Sequence, residues 1–559
     1  MLSKSIQRLV LTGGVLLLGA GCDLDVINVL QPDRERALAD PEDLEALIGG
    51  AFSVFFSGIH GWPEGDCCGH VPNMYPNYAT EMTGIPLSGG SETVVEPRLA
   101  LTNTPSVSID GPRGHRILWQ VMNLVASNVH DGLRTLDETD VRIVDEGVDV
   151  TPRARAFAKL MQGIAWGYMA MGFDKALVIP ETEPLGEEIL QQGRDALIPA
   201  EEARQMALAS IEAAKEIASQ NGITFPAYSS SPLFFGTPEP MTTDDFVRVA
   251  NTFAARILAL SARTPAERRQ VAWGRVLELT TNGLTRDLEY VLDGSEVDEG
   301  QRSSLLYFRL EDNVPGCANC FRWDNRLIGQ ADISGRYQTW LATPLNRRDR
   351  FDIATPDRRI TGATPQSNGA YTRYWGHNNG FPEGRGLYFR SGYQWARHFF
   401  RGFDANSGTA ILASADENRL LRAEALIHMG DLSGAAELIN VTRTRSHTLD
   451  DGITYPGLPP VTRDGVPESA DCAPRIDSGA CGDLMVALRY ERMIELAGLD
   501  AFRGFADSRG FGLLPDDSFL VAPVPGNELE VFSLPIYTFG GDGGEWSARY
   551  APVTMADMQ

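Results

Sequence analysis

The sequence predicts a mainly α fold, an array of paired helices interrupted by two long irregular segments rich in aromatic residues. Three observations predict it. Apolar residues recur at three- and four-residue spacing in successive stretches, and these stretches are bounded by capping or turn residues. The stretches come in pairs. Between them, residues 58–114 and about 286–410 concentrate Gly, Pro, Asn and aromatic side chains with no sustained period, and long irregular segments in compact proteins usually carry function.

The first pair joins a helix over 41–56, with Leu44, Leu47, Ile48, Ala51 and Phe55 on one face, to a second over 118–133. In the next, Phe157, Leu160, Met161, Ile164, Tyr168 and Met171 share a face, and Ala156, Gly163, Gly167 and Ala170 are small enough to let a neighbour approach. Its partner starts near Ala200, carries Ala203, Ala207, Ile211, Ala214 and Ala218, and stops at Asn221-Gly222. Phe246, Val249, Ala250, Phe253, Ile257 and Leu260 form the cleanest stripe, with Thr243-Asp244-Asp245 as cap and first turn. Thr264-Pro265-Ala266-Glu267 reads as a capping box with proline at the first helical position, and predicts one helix to about Thr281. Leu420, Ala423 and Ile427, then Gly430-Asp431, then Ala435, Leu438, Ile439 and Thr442 make a compact pair of about 34 residues, the size of a tetratricopeptide unit without its usual Trp and Tyr. A last helix is expected over 484–497.

Residues 1–21 read as a secretory signal peptide, with Lys4 and Arg8 before an apolar run and Gly19-Ala20-Gly21 before Cys22. Cys22 stands where a lipoprotein carries its acyl chains, although Gly19 occupies the place where such signals favour Leu. Lipidation of Cys22 also accounts for the odd cysteine count: the remaining Cys67, Cys68, Cys317, Cys320, Cys472 and Cys481 form an even set of disulfide candidates, as an oxidising envelope compartment permits. Six cysteines allow 15 connectivities. Cys472 and Cys481 are placed to close the loop between them; Cys67 and Cys68 could bridge each other or pair elsewhere. Cys317-Ala318-Asn319-Cys320 lies among loop signals, which favours a structural disulfide over a redox or zinc site. No later stretch reaches the ~18 to 20 uninterrupted apolar residues of a membrane span.

Lys and Arg number 49 against 74 Asp and Glu, a formal charge of −25. Such a surface repels phosphate backbones, so no nucleic-acid partner is expected. The basic run at Arg347, Arg348 and Arg350 is interleaved with acids and reads as a solvated loop.

Several segments resemble the SusD/RagB family of outer-membrane nutrient-binding lipoproteins. Cys22-Asp23-Leu24-Asp25-Val26-Ile27-Asn28, followed by Pro41-Glu42-Asp43-Leu44-Glu45-Ala46-Leu47-Ile48-Gly49-Gly50-Ala51-Phe52, looks like the family's opening. Leu421-Arg422-Ala423-Glu424-Ala425, Gly430-Asp431 and Ala435-Ala436-Glu437-Leu438-Ile439-Asn440 resemble its most recognisable helical pair. Leu488-Arg489-Tyr490-Glu491-Arg492, Glu495-Leu496-Ala497 and Val524-Pro525-Gly526-Asn527-Glu528-Leu529 resemble its C-terminal signature. The segment 499–507 departs from the family's acidic-Gly and Trp-Asp pairs, so its packing is not implied. The resemblance implies a SusD-like, tetratricopeptide-like array: an N-terminal helical region at 22–285 with a loop insertion at about 58–114, an irregular ligand-binding insertion at 286–410, and a C-terminal helical pair with the family's C-terminal region at 411–559. It also implies a lipid-anchored place in the outer membrane, facing outward, and a SusC-like TonB-dependent transporter as partner.

Binding a saccharide without catalysis needs aromatic faces for the apolar sides of sugar rings, beside amide, acid or guanidinium groups for hydroxyls. Tyr374-Trp375-Gly376-His377-Asn378-Asn379 and Arg322-Trp323-Asp324-Asn325-Arg326 combine both. The residues expected to touch ligand are Trp62, Tyr75, Tyr78, Trp323, Asn325, Tyr374, Trp375 and Asn378. Four Trp and seven Tyr fall within 286–410, and most of these 11 rings are expected to pack inward. Glu81 is the acid to inspect for chemistry, with a solvated surface position as the expectation. No phosphate-binding glycine loop, zinc-ligand spacing or Gly-x-Ser-x-Gly elbow occurs, so no cofactor, metal or catalytic residue is assigned. The reading is a non-enzymatic, glycan-binding lipoprotein delivering nutrient to a transporter. Its alternatives are an oligopeptide-binding member of the same system and a repeat scaffold that binds only proteins.

Overall fold

The apolar stripes become the contacts that stack each helix on the next. The structure, a computed structural model, describes residues 38–60, 71–83, 96–106, 114–183, 196–228, 233–293, 322–377, 389–397 and 407–558. The array opens with α1 (Pro41–His60), α2 (Val71–Tyr78), α3 (Gly114–Glu138), α4 (Thr151–Gly172), α5 (Ala200–Asn221), α6 (Thr243–Leu260), α7 (Pro265–Arg269) and α8 (Trp273–Thr281). Short helices α9 (Asn325–Ile328) and α10 (Arg336–Ala342) lie in the second long segment. α11 (Ala415–His428), α12 (Leu432–Arg443), α13 (Leu484–Leu496), α14 (Arg503–Phe511) and α15 (Gly526–Val531) follow. Among the described residues the strands are short and pair in antiparallel two-stranded ribbons.

Helix α4 is the centre of the first half, buried along nearly all its length and packed against α3, α5 and α6. Its glycines permit this. A Cβ on Gly163 would lie 2.7 Å from the Ala207 carbonyl oxygen of α5, and one on Gly167 would lie 2.3 Å from Ile257 of α6. Helix α5 ends where expected, with Gly222 at φ 64°, a left-handed conformation that costs glycine little.

Two local expectations change. The cap of α6 is Thr242, one residue earlier: its hydroxyl accepts from the Asp245 N–H while the Asp245 carboxylate accepts from the Thr242 N–H. The helix predicted from Thr264 to Thr281 is broken into α7 and α8. The break lets the Trp273 indole turn inward, donate to the Arg268 carbonyl at 3.0 Å and stack on His428 of α11 at 4.3 Å.

Two large apolar cores result, beside a small cluster of Tyr337, Trp340 and Phe389. The larger joins α1 to α8 with residues 501–548 near the C-terminus; the second joins Trp323, Leu327, Ile353, Tyr393 and Trp395 of the long segment to α11, α12 and α13. The ends of that segment are tied by an antiparallel ribbon of Leu288–Asp293 with Ser407–Ala413. Most of its described aromatic rings pack inward, as expected: Tyr290, Trp323, Tyr337, Trp340, Tyr371, Tyr393 and Trp395 are all buried.

Charged side chains, most of them buried, cross-link these cores. Arg492 of α13 donates to Glu424 of α11 at 2.7 Å and to Asp507 of α14 at 2.6 Å. Arg268 of α7 reaches the same two carboxylates at 2.5 and 3.1 Å, and Arg503 donates to Asp507 at 2.9 Å. Further along α13, Glu491 and Glu495 receive Arg359, Arg397 and Arg445. Arg256 of α6 binds Glu417 and Asp500, which also caps the turn before Arg503, so the segment 499–507 that departs from the family pattern is firmly held. Removing one partner strands buried charge, at a cost of about 3–5 kcal/mol. Glu424→Ala, which leaves both Arg268 and Arg492 short of a carboxylate, should lower the unfolding free energy by roughly that amount in urea titration.

Candidate functional site

The ribbon that pairs Thr372–Tyr374 with Tyr393–Trp395 carries the predicted Tyr374 and Trp375 at the surface of the long segment. Strand geometry sends neighbouring side chains to opposite faces, and the contacts follow that rule. On one face, Tyr374 packs edge-on against Tyr393 at 5.3 Å and donates its hydroxyl to Asp352 at 2.9 Å. On the other, the Trp375 indole donates to Gln394 at 2.5 Å and lies beneath the Arg373 guanidinium at 4.6 Å. The two rings therefore do not form one platform, and Trp375 already has two guanidiniums over its ring, Arg373 and, at 5.4 Å, Arg322.

Asp352 is the hub of the Tyr374 face. Besides the tyrosine hydroxyl it accepts from His377 Nε2 at 2.8 Å and Gln366 Nε2 at 2.5 Å. A carboxylate offers about four lone-pair directions, and three are filled. Burial would raise the Asp352 carboxyl, but the bonds from Gln366, Tyr374 and His377 outweigh it and hold the group below the usual range. The same contact, with partial burial as the larger cause, pushes the Tyr374 hydroxyl up to about 12. Both protonation states are thus fixed at neutral pH. Gly392 lies against this cluster, and a Cβ there would come within 3.2 Å of Tyr374 and of His377.

Asn368 extends the face. Its side-chain oxygen accepts from the Tyr374 N–H at 2.9 Å and its amide donates to Asp450 at 2.7 Å. Next to Asp450, Tyr455 donates to Asp451 and has the Arg358 guanidinium over its ring at 5.4 Å. Tyr374, His377, Asp352 and Gln366 thus continue through Asn368 and Asp450 to Tyr455, a half-buried to exposed strip of two rings and several amide, acid and guanidinium groups.

The remaining predicted positions fall elsewhere. Tyr75 and Tyr78 are buried in the larger core against Phe502, Phe505 and Phe519. Trp323 and Asn325 are also buried, Trp323 through its pairing with Met82 and the second core. These four offer no face to solvent, because tertiary packing against the two cores covers them. Cys22, Trp62, Cys67, Cys68, Cys317, Cys320 and Asn378 lie outside the described residues. Cys472 and Cys481 are disulfide-bonded. Asp352, Gln366, Asn368, Asp450 and Tyr455 were missed; only the proximity of Asp352 to the basic run at 347–350 could have drawn attention to it.

Glu81, expected in water, is buried. Thr80 at φ 58° turns the chain inward, and Gly504 leaves room for the carboxylate, since a Cβ there would sit 2.1 Å from Glu81 Oε1. Arg503 is 3.5 Å away, and Oε2 has no hydrogen-bond partner. Burial, only partly offset by Arg503 and reinforced by Asp507 and Asp500, raises the carboxyl from 4.5 to about 7. The folded state then holds this proton more tightly than the unfolded chain. Its contribution to stability is full below about 4.5 and declines as pH rises towards about 7. Glu81→Gln should remove a decline of up to ~1.4 kcal/mol per pH unit in that window, read as urea midpoints at several pH values; identical slopes in both proteins would contradict it.

No family model matches the sequence, and no curated protein matches it. Solved structures do. The architecture is that of a tetratricopeptide-like helical array carrying an inserted, ribbon-bearing segment. A SusD superfamily protein from Parabacteroides distasonis ATCC 8503 aligns with a TM-score of 0.51 at 12% identity, covering 84% of this chain and 87% of that one. A SusD-like carbohydrate binding protein from Bacteroides fragilis NCTC 9343 aligns with a TM-score of 0.51 at 12% identity, over 86% of this chain and 88% of that one. The chain has the SusD-type fold.

Proposed function

We propose that the protein binds oligosaccharide, without turning it over, on the strip centred on Asp352 and Tyr374. The observation that carries this reading is the convergence of the Tyr374, His377 and Gln366 side chains on one ionised carboxylate at an aromatic surface. A sugar ring can lie on Tyr374 while its hydroxyls meet the surrounding acid, amide and imidazole groups. Asp352 suits binding rather than acid catalysis, because its bonds hold it ionised and a general acid needs a raised carboxyl. The Bacteroides fragilis neighbour is described as carbohydrate binding, which supports the same ligand class.

The fuller role joins the leader to what the family resemblance implies. Cys22 is acylated and holds the chain at the outer membrane, where it passes its ligand to a SusC-like TonB-dependent transporter. No described helix is long and apolar enough to cross a membrane, and a two-chain lipid anchor needs none.

Calorimetric titration of the Cys22-deleted protein against an oligosaccharide panel tests the ligand class. Asp352→Ala and Tyr374→Ala should each weaken the best ligand about tenfold, roughly 1.4 kcal/mol, with the fold intact by circular dichroism. Binding of oligopeptides and of no saccharide would replace this reading with a peptide-binding one. For the anchor, lipid labelling should mark wild type and not Cys22→Ala.

A further inference from the structure

A second candidate site lies on the helical array, among residues with no part in the saccharide strip. Where α4 ends, α5 begins and the α6–α7 link passes, the helices leave a cleft of about 410 Å³. That volume is near the small end of ligand pockets, about 300–1,000 Å³, and suits a molecule much smaller than an oligosaccharide. Its wall includes Ala170, Ala200 and Val271, and the charged groups around it are Asp174, Arg263, Arg204, Glu201 and Glu267.

The pairing of these charges is incomplete. Asp174, just past the end of α4, accepts from the Tyr537 hydroxyl, at 2.9 and 3.0 Å, and among the described residues no cation stands within ion-pair distance of it. Arg263 also lacks a charge partner: its guanidinium donates to the Phe173 carbonyl at 2.7 Å and lies over the Trp546 ring at 5.2 Å, with no carboxylate of the described residues in ion-pair reach. Glu267, the nearest acid in sequence, spends one oxygen on the Arg263 backbone N–H. Arg204 gives one Nη to Glu201 at 2.6 Å, and its buried Nε has no partner. Helix α5, 22 residues long, opens at the cleft with Pro199 in the cap position and no side-chain cap; its Ala200 N–H donates to the Asp174 backbone carbonyl at 3.1 Å. Burial weighs on both unpaired charges, raising the Asp174 carboxyl and lowering the Arg263 guanidinium.

Opposite charges that share a cleft, lose hydration and do not reach each other are satisfied together by a ligand bearing both signs. A simple anion would meet Arg263 and Arg204 but also three surrounding carboxylates, and a simple cation would leave Arg263 without a counter-charge. We propose that this cleft binds a free α-amino acid, its ammonium on Asp174 and its carboxylate on the Arg263 and Arg204 guanidiniums beside the start of α5. The apolar wall leaves room for a side chain.

The test uses the Cys22-deleted protein with each of the twenty amino acids, with acetate and ethylammonium as half-ligands, by calorimetric titration and thermal shift. At least one amino acid should bind with one-to-one stoichiometry in the millimolar range or tighter, and neither half-ligand should match it. Asp174→Asn and Arg204→Met should each weaken that binding at least tenfold. Arg204 is partly exposed, so its variant keeps the test open if Asp174→Asn folds poorly, and saccharide binding in both variants should be unchanged. Absence of binding by every amino acid, acetate binding as tightly as the best amino acid, or unchanged affinity in folded variants would each overturn the proposal.

Discussion

The carboxylates of α11 and α13, and the arginines that converge on them, are the constraint on which the rest of this structure depends. Glu424 lies between Arg268 and Arg492, and Glu491 and Glu495 gather Arg359, Arg397 and Arg445 from three other parts of the chain. Apolar packing alone would let the helices slide, since hydrophobic contact has little directional preference. Bidentate guanidinium pairs do have one, and buried they tolerate no loss of register.

The same carboxylates place the surface strip. Arg359 is held by Asp357 and Glu491, and Tyr371 donates to Glu495 at 2.8 Å. Tyr371 then fixes the ribbon, its carbonyl accepting from the Ala396 N–H, and Tyr374 follows three residues later. Asp352 is tied into the same unit, because the Ile353 N–H donates to the Tyr393 hydroxyl. A long segment with little regular structure thus presents a rigid face because its base is bound to a helix.

Much of this architecture was legible in the sequence, and the reason is periodicity. The stripes at Phe157–Met171 and Phe246–Leu260 repeat often enough to define a helix face, and Asn221-Gly222 and Gly430-Asp431 mark stops by their backbone preferences. The break between α7 and α8 was not legible, since it depends on where Trp273 meets His428, more than 150 residues away in the chain. The resemblance of Leu488–Arg492 to a family signature was visible, but not that its Glu491 and Arg492 belong to the ion network.

The site was less legible. Rings could be counted, but their burial is decided by tertiary contacts, so Tyr75, Tyr78 and Trp323 went to the core while Tyr374 stayed half-open. Asp352 carried no motif because its three donors come from positions 14 to 25 residues away. The most direct test of the account is a crystal structure with the best-binding oligosaccharide. It should show a sugar ring against Tyr374, with hydroxyls in hydrogen-bond contact with the Asp352, His377 and Gln366 cluster. Density for the saccharide elsewhere on the molecule, with this strip bare, would contradict it.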